Sequence, residues 1–292
     1  MAVPPHYNLY HYDPNIPLAI FALVVFTILT IVVSFQTHRY KTRYMYGVAS
    51  GAAGEAIGFA IRIWSGQPAN NGIIPAYAAS TVFLLLPPIV IALGSYLAVA
   101  NIIYHSNYRT KFIQPVIIEK AFLSIDVICF MVQAMGGGMM AIQSMASTGS
   151  SIALIGLGLA LVSLLTFSII TFYVQRTSHF TFRLLENGQK NVTGWRILYW
   201  PIWINIVALL IRSVYRVAEF AQGFQGYLIS HEVYFYIFDS LMMLIAIVAY
   251  VIIPPGRYLR PDLVEKQSFS MNPLRSESGE SVLTGKWTTA QI

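Results

Sequence analysis

A single cysteine, Cys129, occurs in 292 residues. No intramolecular disulfide can form, and a lone thiol inside an apolar run is a small core residue before it is a reactive one. Charge is scarce as well. Only 10% of residues are Asp, Glu, Lys or Arg, against 56% hydrophobic, and the mean hydropathy is +0.62. Soluble domains carry roughly 25% charged residues. This balance excludes an ordinary water-soluble domain. The formal charge of +6 reads as an asymmetry across a bilayer, with no nucleic-acid partner.

Other absences narrow the chemistry. His6, His11, His38, His105, His179 and His231 all fall in loops or at span edges, so no pair is placed inside a bundle to hold a haem. No grouping of His, Cys and carboxylates has metal-ligand spacing, and no hydrolase nucleophile motif appears. No cofactor is expected, and an enzyme is the weakest functional class. "GESVLTGKW" near the C-terminus mimics a phosphate-binding loop, but Trp287 stands where Ser or Thr is required. No ATP-hydrolysing motif is present. The N-terminal "MAVPPHYNLYHYDPN" has no Lys or Arg before the first apolar run, so that run is expected to be its own insertion signal.

What the chain has is apolar runs of membrane length. Seven spans are predicted, at about 17–36, 44–65, 76–104, 116–140, 151–175, 196–221 and 233–253. Short connections place sequence neighbours side by side in an all-α, seven-helix bundle of one domain. The loops after the first, third and fifth spans and the tail carry Arg39, Lys41, Arg43, Arg109, Lys111, Arg176, Arg183, Lys190, Arg257, Arg260 and Lys266. The alternate loops, 66–75, 141–150 and 222–232, and residues 1–16 carry no Lys or Arg. Positive charge stays on the cytoplasmic side, which puts the N-terminus outside and the C-terminus in the cytoplasm. From Pro261 the Ser-, Thr- and Gly-rich tail has no apolar period and is expected to be disordered.

Against this background seven charged residues fall well inside the spans, away from their ends: Glu55, Arg62, Asp126, Arg212, Arg216, Glu219 and Asp239. Each costs about 2.5–3.5 kcal/mol at a helix centre, so all seven facing lipid would cost on the order of 20 kcal/mol. Spacing offers shelter. Glu55 and Arg62 lie two turns apart on one face. Asn205, Arg212, Arg216 and Glu219 form one stripe roughly 60° wide. Asp126 shares a face with Gln133, and Glu232 with Asp239. Matching depths suggest the pairs Glu55 with Arg212 and Arg62 with Glu219, with Asp126, Asp239 and Arg216 closing the network. Such charges mark substrate or ion paths by default, although ion pairs that only fix helix register are the competing explanation.

Small residues and prolines add packing information. Gly47, Gly51, Gly54 and Gly58 form a continuous glycine face suited to close helix approach. Gly136–Gly138 are expected to end or loosen the fourth span. Pro87 and Pro88 fall mid-span and should kink the third.

Several motifs carry a family resemblance. "EAIGFAIR" (Glu55–Arg62), "DVICFMVQAMGGG" (Asp126–Gly138), "IRSVYRVAEFAQGFQGYLISHEVYFYIFDSLMM" (Ile211–Met243) and "PPGRYL" (Pro254–Leu259) resemble the fungal RTA-like family, the lipid-translocating exporters, over roughly residues 10–260. Phe59 stands where that family often has Tyr, and Pro254 where it often has His. The resemblance implies seven spans, a plasma-membrane location, and handling of long-chain bases, sterol-like amphiphiles or phospholipids. It supplies no catalytic residues.

Two functions follow. One is a translocase of amphipathic lipids, passive or ion-coupled, with Glu55, Asp126, Glu219 and Asp239 as proton or amine partners. Arg62, Arg212 and Arg216 would then be phosphate or counter-ion partners, with Gln133 and Asn205 on the same polar faces. The other is a seven-helix sensor or regulator of lipid asymmetry that moves nothing. The third span ends "NIIYH" without an Asp-Arg-Tyr triplet, the seventh ends "VIIPPG" without Asn-Pro-x-x-Tyr, and the seventh lacks the lysine a retinal Schiff base needs. Membrane lipids or amphiphiles are the expected partners.

The orientation has a direct check in the sequon "NVT" at Asn191, which falls in a predicted cytoplasmic loop. Protein expressed through the secretory pathway should show no glycosidase-sensitive mass at Asn191. A glycan there inverts the topology.

Overall fold

The computed structural model describes residues 14–67, 74–105, 115–140, 145–177, 184–186, 189–191, 194–223 and 226–255. The expected N-terminal segment up to residue 13 and the expected tail from 261 lie outside the described residues. Seven helical rods account for nearly all the rest. They are α1 (Ile16–Tyr40), α2 (Tyr46–Ser65), α3 (Ile74–Leu85) with α4 (Pro87–His105), α5 (Pro115–Met140), α6 (Ala146–Arg176), α7 (Tyr199–Ala221), and a seventh made of α8 (Glu232–Phe235), a π-turn (Tyr236–Ser240) and α9 (Leu241–Ile252). A two-stranded hairpin, β1 (Leu184–Glu186) with β2 (Gln189–Asn191), lies in the loop after α6 and is the one departure from an all-α chain among the described residues.

Local chemistry sets the helix ends. Asn15 caps α1, its Oδ1 accepting the Leu18 amide at 3.1 Å. Lys41 closes α1 in the left-handed region at φ 53°, and His38 and Arg39 in the last turn suit the negative end of the helix dipole. Five helical stretches are both long and apolar enough to cross a membrane: Ile16–Tyr40, Ala79–Tyr104, Ser147–Arg176, Arg196–Ala221 and Glu232–Ile252. α2 and α5 have the length, 20 and 26 residues, or about 30 Å and 39 Å at 1.5 Å per residue. Their hydropathy is diluted by the glycines, Glu55 and Arg62 of α2 and by Glu119, Lys120 and Asp126 of α5.

Each rod packs on its neighbours in sequence, and α9 returns to α1 to close the ring. α4 lies deepest, touching α2, α5 and α7. The outward faces are apolar and exposed, as with Ile155, Val162 and Ile169 spaced seven apart on α6. That is the surface hydrocarbon tails require.

The third rod is broken, where the sequence suggested only a kink. Leu86 separates α3 from α4 immediately before Pro87 and Pro88, which have no amide hydrogens to donate. The Leu86 amide still reaches the Val82 carbonyl at 3.0 Å, but the ladder partner for the Leu84 carbonyl is gone with Pro88. The glycine face of α2 packs against this break. A Cβ on Gly51 would stand 2.5 Å from Ile91, on Gly54 3.0 Å from Pro87, and on Gly58 2.8 Å from Leu84.

Helix α5 runs through Gly136–Gly138 to Met140, contrary to the expected loosening. The reason is packing at Gly136, where a Cβ would fall 2.5 Å from the Ala153 amide nitrogen and 2.6 Å from the Gly149 carbonyl of α6. Gly137 and Gly138 face open space. The triplet therefore contains its own control. Gly136→Ala should destabilise the detergent-solubilised protein by about 1–3 kcal/mol through overpacking. Gly138→Ala should be neutral or stabilising by up to about 1 kcal/mol. Thermal melts of the two variants side by side check this, and equal shifts would refute the close α5–α6 contact.

Candidate functional site

The stripe on α7 turns inward as its spacing predicts. Asn205, Arg212, Arg216 and Glu219 are all buried, as are Glu55 and Arg62 on α2 and Asp239 in the π-turn. At the centre is the Asp239 carboxylate, wholly shielded from solvent. Its Oδ1 lies 2.7 Å from Arg212 Nε and accepts a hydrogen bond from Arg216 Nε at 2.9 Å. The Arg212 Nε approach is an ion-pair contact without donor alignment, and that guanidinium instead donates from Nη2 to the Leu84 carbonyl at 2.7 Å. The proline break in the third rod thus supplies the acceptor that fixes Arg212. Arg216 also donates from Nη1 to Glu219 Oε2 at 2.9 Å, and the Tyr215 hydroxyl donates to Glu219 Oε1 at 3.2 Å.

One turn or more toward the lysine-poor end lies a second pair. Arg62 Nη2 donates to Glu232 Oε1 at 3.0 Å, and Glu232 Oε2 accepts the Asn15 amide at 2.8 Å. Glu232 therefore joins the start of α1, the end of α2 and the start of the seventh rod. Phe235 links the two pairs, with the Arg62 guanidinium carbon 4.7 Å and that of Arg216 5.7 Å from its ring centroid. Both distances suit cation–π attraction.

Two proposed pairings are corrected. Arg62 meets Glu232, not Glu219, because Glu219 is held within α7 by Arg216 and Tyr215. Arg212 meets Asp239, not Glu55. Glu55 feels Arg212, Asp239 and Arg216 electrostatically, yet among the described residues no cation comes within ion-pairing distance and neither of its oxygens has a hydrogen-bond partner. Both amide atoms of Asn205 and Asp239 Oδ2 likewise lack partners.

Asp126 does not close the network. It sits between α4, α5 and α6, where Oδ2 accepts the Tyr96 hydroxyl at 2.7 Å and Oδ1 the Ser163 hydroxyl at 3.3 Å. Tyr96 is wedged between the rings of Phe122 and Phe167, at 5.4 and 4.5 Å. Gln133 is buried two turns on, and a Cβ on Gly156 of α6 would stand 2.9 Å from its Cγ. Sequence reasoning assigned no role to Ser163 or Tyr96; their hydroxyls carry no signal until a carboxylate is placed opposite them. Glu232 was visible as a face-mate of Asp239, but not as the partner of Arg62.

The family model described as "RTA1 like protein" matches residues 48–262, a stretch that contains every residue of both polar groups except Asn15. The chain belongs to the RTA1-like family. As an RTA1-like protein it is an integral membrane protein. Protein RTM1 of Saccharomyces cerevisiae is 28% identical over 203 residues, covering 69% of this chain and 64% of RTM1. The match thus spans under two thirds of that relative. Protoporphyrin uptake protein 1 of the same species is 26% identical over 281 residues, 83% of this chain and 90% of its own length. Sphingoid long-chain base transporter RSB1 is 28% identical over 279 residues, 83% of this chain and 72% of RSB1. No solved structure matches the RTA1-like chain.

The Arg62–Glu232 assignment is checked by charge exchange. Arg62→Glu should lower the melting temperature of this RTA1-like protein, because two carboxylates then meet at a buried site. Adding Glu232→Arg should restore most of the loss, and adding Glu219→Arg should not. Asp239→Ala, which leaves Arg212 buried without a carboxylate and Arg216 with Glu219 alone, should cost about 3–5 kcal/mol.

Proposed function

We propose that this protein is a translocase of amphipathic lipids, not driven by ATP, in which a headgroup crosses the membrane along the charged interior between α2, α7 and the seventh rod. The observation that carries the reading is the gathering of Arg212, Arg216, Glu219, Asp239 and Glu55 in the bundle interior. Headgroups need a polar lane through hydrocarbon, and buried charges are retained where they do work. The printed names of RSB1, a sphingoid long-chain base transporter, and of the protoporphyrin uptake protein favour amphiphiles as substrates. A long-chain base is the leading substrate, with sterol-like amphiphiles and phospholipids behind it. The lysine and arginine bias of the loops supports an outward N-terminus, and the family resemblance supports the plasma membrane.

Purified protein in liposomes, given a fluorescent long-chain base or phospholipid, tests this. Wild type should move the probe between leaflets faster than protein-free vesicles. Glu219→Gln keeps the size of the side chain and an acceptor for Arg216 but removes the charge. It should slow movement about tenfold or more, a barrier rise of about 1.4 kcal/mol, without a comparable fall in melting temperature. Tight binding of the probe without movement would replace the translocase with a lipid sensor.

A further inference from the structure

Seven charged side chains meet between α2, α7 and the seventh rod, and six are held in ion pairs: Arg62 with Glu232, Arg212 and Arg216 with Asp239, and Arg216 with Glu219. Glu55 is the seventh. It is 0% exposed, and among the described residues both carboxyl oxygens are without a partner. The charged groups that act on it are Arg212 and Arg216 from α7 and Asp239 from the π-turn. The other helices packed on α2 face it with none: Ile16–Gln36 of α1, α3, and Pro87–Tyr104 of α4 contain no acidic or basic residue.

The balance of charge is then definite. Three arginines neutralise three carboxylates, and Glu55 is the fourth. An ionised carboxylate with no partner in a buried, low-dielectric interior is strongly disfavoured, so the cluster is short of one positive charge. The sign of the deficit is set by what is left over. All three arginines are engaged in ion pairs, and Arg212 Nε, though without an aligned hydrogen bond, lies 2.7 Å from Asp239 Oδ1. Among the described residues Glu55 is the charged group of the cluster with neither an ion pair nor a hydrogen bond, and Asp239 Oδ2 and the Asn205 amide are other polar atoms there without hydrogen-bond partners. An anionic headgroup would have to strip an arginine from its carboxylate. A cationic one would find acceptors waiting.

We propose that Glu55 is a single-charge exchange site, holding a proton when no ligand is bound and giving it up when the ammonium group of a cationic amphiphile takes its place. This deepens the reading of the cluster as a headgroup lane and rests on it. One O–H bond of the Glu55 carboxyl breaks, its proton leaves to water, and the carboxylate forms one ion pair with the ammonium. The net charge of the interior is the same before and after. Return of the site to its starting state takes up one proton, so each crossing exchanges one ammonium for one proton and is electroneutral.

Titration calorimetry of the purified full chain in detergent tests this, in two buffers of different ionisation enthalpy. The probe is a long-chain alkyltrimethylammonium, whose fixed charge has no proton of its own to release. Wild type should release close to one proton per probe bound, Glu55→Gln should release none, and an uncharged long-chain alcohol should release none from either. A second measurement uses wild type alone, so it does not depend on the folding of the variant. A hydrophobic carbodiimide, which reacts with protonated carboxyls in apolar surroundings, should modify Glu55, and the bound probe should suppress the modification severalfold. Absence of probe binding, absence of proton release, equal release by Glu55→Gln, or modification of Glu55 indifferent to the probe would each overturn the proposal. Proton release with no lipid movement in liposomes would leave the exchange site standing and remove the translocase.

Discussion

The structure depends on one carboxylate. Asp239 is sealed from solvent on the seventh rod, and a charge left alone there would be removed by protonation or by expulsion of the helix. It is kept because two guanidinium groups from α7 converge on its Oδ1. The geometry has two preconditions, both of them defects in regular helix. The π-turn at Tyr236–Ser240 carries Asp239 and widens the helix there by one residue per turn. The proline break frees the Leu84 carbonyl, which holds the far side of Arg212. Two irregular segments on different rods therefore serve one ion cluster.

This arrangement links packing to electrostatics. The glycine face of α2 brings its backbone against Pro87, Leu84 and Ile91, at the break itself. A bulkier face would push α2 outward and take Glu55 and Arg62 with it. The glycines are thus structural in their contacts, yet they set the distance between α2 and the arginines of α7. Phe59, one turn from Glu55, stacks on Phe26 and Tyr236 at 5.8 and 6.0 Å and fills the space beside the charges with hydrocarbon. The low dielectric this creates strengthens the pairs that exist and penalises Glu55, which has no ion pair among the described residues.

Much of this was legible in the residues. α2 and α5 have the length but are diluted by glycine and charge, whereas hydropathy picks out the other five rods, because the bilayer demands about 20 apolar residues whatever the tertiary contacts. The stripe Asn205, Arg212, Arg216 and Glu219 was legible for the same reason, since a regular helix fixes which residues share a face. Partner choice was not. Spacing along α2 and α7 shows that Arg62 and Glu219 sit at similar depth, but not how far each rod is turned about its axis. Glu219 satisfies its charge within its own helix, which leaves Arg62 to Glu232. Asp126 misled for a related reason: an intramembrane acid was expected to seek an arginine, and hydroxyls from Tyr96 and Ser163 hold it instead.

The separation of Asp126 from the arginines bears on how the bundle can work. α4 touches both polar groups, packing on α5 beside Asp126 and on α2 and α7 beside the main cluster. Its N-terminal end is the broken one, and Arg212 grips the carbonyl just before the break. Leu84 belongs to α3, so Arg212 ties α7 to the α3 side of the break, while α4 packs on α7 directly. Loss of the Arg212–Leu84 contact leaves the Arg212–Asp239 pair in place, so the charges stay compensated while the backbone shifts. The Arg212–Leu84 bond is itself charge-assisted and stronger than one between neutral groups, yet among these contacts it is the one whose breakage exposes no unpaired ion.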